Sequence, residues 1–197
     1  MWRKNSFRML ERNARDHGLC HNRCLDLAAQ FTQAAKAVAA TVERVPASAG
    51  AIAEAVRRAA PNAARIAVAE PHDLDPALFA ACRRLPSVFP ERTRQALATA
   101  DVGVTEAFAC IATTGSVCVA SEGEISYISL LPRMHIAVAR VADIVSRPGD
   151  LLRADVLGGK GLTRSFVYVT GPSATADMGP LVRGVHGPHH LHVILLD

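Results

Sequence analysis

The chain has 197 residues, half of them apolar and a fifth charged, with a net charge of +4; that length can bury a real core in one domain. No apolar run reaches the ~18 residues of a membrane-spanning helix, and the opening "MWRKNSFRMLERNARDHG" lacks the apolar centre of a secretion signal. Cations are interleaved with acids and aromatics make up only 5%, so neither nucleic acid nor membrane is an expected partner.

In chain order, residues 22–43 repeat apolar side chains at Cys24, Leu27, Phe31, Ala34, Ala35, Val38 and Val42, the period of a helix. Ser48 is placed to cap a second helix through Ala60, and "RIAVAE" (65–70) reads as a buried strand. Asp75 as cap and Pro76 at the first helical position open a helix over 75–84. "LPSVF" (85–89) reads as a strand and "PERTRQALATA" (90–100) as a helix. From residue 101 the strands crowd together: "DVGVT", "FACIA", "SVCVAS", "ISLL", "HIAVA", "SFVYVT" and "HVILLD", interrupted by helices near 141–147 and 149–157. This alternation predicts an α/β fold with a mostly parallel sheet flanked by helices. Within it, "IATTGSVCV" reads as a hairpin and "LGGKGLTR" (157–164) as a loop. The expected organisation is a helical N-terminal segment over 1–45 and an α/β domain over 46–197.

Cys20, Cys24, Cys82, Cys110 and Cys118 are an odd set without a secretion signal, which points to reduced thiols in a cytoplasm. They show neither a C-x-x-C pair nor the spacing of a cluster-binding ferredoxin, so no iron–sulfur cluster or other cofactor is expected on this chain. His17, Cys20, His21 and Cys24 would share one helix face, but one straight helix cannot wrap four ligands around an ion. In "GVHGPHHLH" no nearby carboxylate is available to orient the rings. That run is expected to hold one buried, hydrogen-bonded histidine and several exposed ones, with no metal.

Two turns invite a ligand. Thr113, Thr114 and Ser116 surround Gly115, which frees the backbone for close approach. "TGPSATADMG" (170–179) reads as a strand-to-helix turn, with Ser173 or Thr175 as cap and Asp177 in the first helical turn. It lies at the carboxyl end of a strand, where ligands bind in open α/β sheets.

The stretches "DVGVTEAFACIATTGSVCVAS", "ISLLPRMHIAV", "GPSATAD" and "GVHGPHHLHVILL" stand in that order over residues 100–197. Together they resemble the LUD-domain family, in its lactate utilization protein C group. The resemblance implies a fold like that of the NagB/ribose-5-phosphate isomerase/CoA-transferase superfamily. It also implies a place in a three-protein system that oxidises L-lactate to pyruvate, with partners that carry the iron–sulfur clusters. The residues that stand where the family has them are Thr105, Thr114, Gly115, Pro132, His135, Gly171, Pro172, Ser173, Thr175, Asp177, Gly184, His186, Gly187 and Pro188. With Thr113 and Ser116 they form the candidate ligand cleft, expected at strand ends.

Three departures stand out. Thr113 and Ala174 occupy positions where the family usually has Glu and Arg, and Met178-Gly179 replaces Ile-Glu. The expected function is an accessory, non-redox subunit of lactate oxidation; for a small anionic ligand, with Ala174 in place of the Arg, the turn over 170–179 is expected to offer a weak or vestigial site, at most about millimolar. The alternative is an enzyme acting on an anionic or acyl substrate of the phosphate or CoA type.

Overall fold

The computed structural model describes residues 26–153, 165–177 and 179–197. The cluster of His17, Cys20, His21 and Cys24, the expected loop over 157–164 and Met178 lie outside them.

The first helix, α1, is helical over residues 26–37 and buries Ala28, Phe31 and Ala35. It stops short of the expected residue 43. Ala39 turns into the left-handed region at φ 64, and Ala40 N–H reaches back to the Ala35 carbonyl at 2.9 Å while Ala39 N–H reaches Lys36 at 3.0 Å. These are the two bonds of a Schellman cap. The β-branched pair that follows begins a strand, β1 (Thr41–Val45). Ser48 caps α2 (Ala49–Ala59) as expected, its Oγ accepting from Ala51 N–H at 3.2 Å.

After β2 (Ile66–Val68), Asp75 accepts from Ala77 N–H at 2.9 Å and opens a 3-10 turn over Pro76–Phe79. The turn runs into α3 (Ala80–Arg83). "LPSVF" is no strand and makes only a bridge from Val88 to Ile66. The helix expected over 90–100 shrinks to the single turn α4 (Arg94–Leu97).

Strands β3 (Val102–Glu106), β4 (Ala109–Ile111) and β5 (Ser116–Ala120) follow. "ISLL" falls largely in a helix, α5 (Gly123–Leu130), because Ile125 and Ile128, three apart, are both buried beneath it. Then come β6 (Met134–Arg140) and β7 (Ile144–Val145). The helix expected near 141–147 is only a 3-10 turn over Val141–Asp143, since Ile144 and Val145 pair in parallel with Cys110 and Ile111. Helix α6 (Pro148–Leu151), β8 (Phe166–Val169), β9 (Ala174–Thr175), β10 (Val182–Arg183) and β11 (His190–Leu196) complete the order.

The main sheet is parallel throughout, in the order β1-β11-β6-β3-β2. A second sheet, β7-β4-β5-β8, contains the expected β4–β5 hairpin. Strand β11 shows why the main sheet needs cover on both faces. Val193 and Leu195 enter one core with Phe31 and Ile128. Ile194 and Leu196 enter another with Ile52 and Phe79. Thus α1 and β1 belong to the same packed body as the strands beyond residue 100. No helix among the described residues is long and apolar enough to cross a membrane.

Candidate functional site

The site is best built outward from His135, the second residue of β6. The parallel register sets Gly103 of β3 beside His135, and Thr105 beside Ala137, so Thr105 and His135 share one face of the sheet. Thr105 Oγ1 lies 2.9 Å from His135 Nε2, and both side chains are fully buried. A Cβ on Gly103 would fall on the backbone carbonyl of Ile128, so glycine is what lets α5 lie directly on β3 beside them. Burial lowers the His135 ring from 6.5 to about 4, and it stays neutral near pH 7. Its Nδ1 is buried and has no hydrogen-bond partner among the described residues.

His135 forms part of the wall of a half-open cleft of about 610 Å³. One side is α5 with Ser126, Ser129 and Leu130; the other is β8 and the turn after it, through Thr170, Gly171, Pro172 and Ser173. Ser129 Oγ donates to the Ser126 carbonyl at 3.2 Å. The two glycine-bearing turns picked out in the sequence come together here. Ser116 Oγ lies 2.7 Å from both Thr114 Oγ1 and Thr170 Oγ1, a chain of three hydroxyls. Both turns rest on the end of α1. Gly115, at φ +67, faces the backbone of Ala34 and Ala35, and Gly171, at φ +70, faces the Val38 carbonyl. A side chain at either position would drive the turn off the helix.

The candidate residues divide accordingly. His135, Gly171, Pro172 and Ser173 line the cleft together with Pro188, and Thr105 holds His135 from behind. Ser116 and Thr114 stand behind Thr170. Gly184 N–H donates to the Ser173 carbonyl at 2.8 Å, and Gly187 packs against the Ser173 and Leu130 side chains; these glycines brace the turn from outside. Pro132 is buried in the connection from α5 to β6. Thr113, Asp177 and His186 are exposed, and neither they nor Thr175 line the cleft. Thr175 Oγ1 instead donates to Asp177 Oδ2 at 3.0 Å.

Two expectations need correction. No helix follows "TGP": Ser173 N–H donates to the Pro188 carbonyl at 2.9 Å while its own carbonyl accepts from Gly184, and Ala174–Thr175 pair antiparallel with Val182–Arg183. A backbone committed on both sides to strand-like bonds has no free helix start, so Ser173 and Thr175 cap nothing and Asp177 faces no helix dipole. Second, the cleft touches the carboxyl end of β8 but the amino ends of β6 and β11, where His135 and Pro188 stand. The rule for carboxyl ends of parallel strands does not locate it.

The histidine run behaves as core and surface. His186 and His190 are exposed, whereas His192 is buried with Nδ1 2.7 Å from Thr41 Oγ1. Among the described residues, no three His, Cys, Asp or Glu side chains are grouped to hold a metal ion. Buried Glu106 is likewise structural. Its carboxylate accepts from the backbone N–H groups of His72, Asp73 and Leu74 and pins that loop to the end of β3.

A family model for the LUD domain matches residues 28–196. The chain belongs to the LUD-domain family. The match starts inside α1, the helix on which Gly115 and Gly171 rest. Lactate utilization protein C of Bacillus subtilis (strain 168) is 36% identical over 103 residues, 50% of this chain and 43% of that protein. Lactate utilization protein B of Bacillus pumilus (strain SAFR-032) is 32% identical over 113 residues, 53% of this chain and 22% of that protein. The chain therefore spans half or less of the length of these curated relatives. A crystal structure of a DUF162 family protein from Deinococcus radiodurans superposes with a TM-score of 0.65 at 23% identity. It covers 88% of this chain and 98% of that one, and bears out the fold.

Several cleft residues of this LUD domain were not singled out from the sequence: Ser126, Ser129 and Leu130 of α5, and Thr170. A helical reading of 123–130 would have found the first two, since Ser126 and Ser129 are three apart and so share a face.

Proposed function

We propose that this LUD domain is an accessory, non-redox component of lactate utilisation, working in the cytoplasm beside partners that carry iron–sulfur clusters. The observation that carries this reading is the similarity, at about a third identity, to two different lactate utilization proteins, B and C. The chemistry of the described thiols agrees with it. Cys110 and Cys118 are fully buried in the second sheet and Cys82 in the core below α2. Burial pushes Cys118 up to about 12 and Cys82 to about 11. These thiols pack in the apolar core, and among the described residues no three His, Cys, Asp or Glu side chains are grouped to hold a metal ion. The domain's contribution is then its cleft and its surface. Deleting the gene in its native host and growing the strain on L-lactate as sole carbon source tests the role. Affinity purification of the tagged protein from lactate-grown cells tests the partners. Undiminished growth of the deletion strain would refute the role, and recovery of the protein without iron–sulfur proteins would refute the partnership.

A further inference from the structure

We propose that the cleft takes an uncharged acyl compound. Its carbonyl or hydroxyl head meets His135, Ser129, Thr170 and Ser173, and its apolar body lies along Leu130 and Val167. This rests on the reading above only in taking the cleft as a working site.

Three observations lead there. His135 stands in the wall of the cleft, and its buried Nδ1 has no partner among the described residues. A buried polar atom without a partner marks where a ligand group can be received. Either tautomer serves, because Thr105 occupies Nε2 and leaves Nδ1 as the hydrogen-bonding group. Next, Ser129 spends its proton on the Ser126 carbonyl, so its oxygen offers lone pairs, while Thr170 ends the hydroxyl chain through Ser116. A wall of mixed donors and acceptors suits a head that carries both a carbonyl and a hydroxyl. Finally, no Asp, Glu, Lys or Arg lines the cleft among the described residues, and burial keeps the His135 ring neutral. A carboxylate or phosphate would shed water here without gaining a described counter-charge. The size agrees: about 610 Å³ lies within the ~300–1,000 Å³ of small-molecule sites. A three-carbon acid would leave most of it empty, whereas a head with an apolar extension reaches Leu130 and Val167.

The test is a titration of the ¹⁵N-histidine-labelled protein with butyl L-lactate, a neutral hydroxy ester, and in parallel with L-lactate and with inorganic phosphate. The His135 ring signal is assigned by its loss in His135→Gln. Butyl lactate is expected to move that signal saturably, with an affinity at least about tenfold above that of either anion. Ser129→Phe, which fills the cleft from α5, should weaken the response by about tenfold or more and leave the melting temperature within a few degrees. Because His135 stays neutral, binding should not change between about pH 7 and pH 5.5.

An equal or larger shift with lactate or phosphate, or binding that tightens as the pH falls, overturns the uncharged class. No shift with butyl lactate, or an undiminished one in Ser129→Phe, overturns the site. Neither result depends on growth on lactate. A deletion strain that grows normally while butyl lactate still binds at His135 would remove the lactate role and leave this inference standing.

Discussion

Acid should destabilise this domain in good part through one side chain. His135 is fully buried, has no charged neighbour among the described residues that would stabilise an imidazolium, and titrates at about 4 instead of 6.5 because burial disfavours its charged form. The unfolded chain therefore takes up a proton below about pH 6.5 that the folded protein refuses until about pH 4. Between those values the unfolded state binds more protons, so stability rises with pH. The contribution is complete above 6.5 and is lost as the pH falls towards 4. At about 1.4 kcal/mol per pH unit, the gap amounts to about 3 kcal/mol, a sizeable share of the ~5–15 kcal/mol that holds a typical domain together. Urea unfolding of the native protein and of His135→Gln, each at several pH values from about 7 to 4.5, measures it. The variant should lose about 2.5 kcal/mol less than the native protein across that range, which stops short of the folded-state value. His192, whose ring burial also pushes down against the pull of Glu43, titrates in both proteins and cancels in the difference. Parallel curves would refute the reasoning, because they would mean that His135 reaches water or a proton acceptor in the fold.

Three further outcomes follow from backbone geometry and buried bonds. Ala39→Gly should raise stability by about 0.5–1 kcal/mol in thermal melts, since Ala39 holds the left-handed cap position at φ 64 that glycine occupies without strain. Gly103→Ala should cost about 3 kcal/mol in urea unfolding, because its Cβ needs the place of the Ile128 carbonyl and pushes α5 off β3. Glu106→Gln should cost about 1–3 kcal/mol and speed amide exchange at His72, Asp73 and Leu74, whose N–H groups lose an acceptor.

Where local chemistry dictated structure, the sequence was a sound guide. Ser48 and Asp75 cap what they were expected to cap, Gly115 turns the expected hairpin, and β11 alternates between two cores as a covered parallel strand must. The failures have two causes. α1 ends at Ala39, and alanine carries no signal for a left-handed cap. The run "ISLL" is apolar enough for either element. Its helix is decided by Gly103, some twenty-five residues earlier, which makes room for a helix against β3. "GPSAT" extends because Pro188 and Gly184 bond Ser173 from both sides. In the last two cases the deciding partner lies well outside the segment it shapes, and no short window along the chain contains both.

The cleft follows the same logic at a finer scale. Gly115 was singled out as a place where a backbone approaches a ligand, and a close approach is real there and at Gly171 alike, but what approaches is the end of α1. Of the departures from the family pattern, Thr113 is exposed and its N–H bonds the Ser146 carbonyl, so a different side chain there would leave the cleft wall as it is. Ala174 does line the cleft. An arginine at that position would set a guanidinium against the hydroxyls and the neutral His135, and would turn the wall towards carboxylates and phosphates. With alanine, the described wall holds hydrogen-bonding groups without charge. Residue 174 is therefore the position at which one substitution would change the class of molecule the cleft accepts while leaving the fold around it intact.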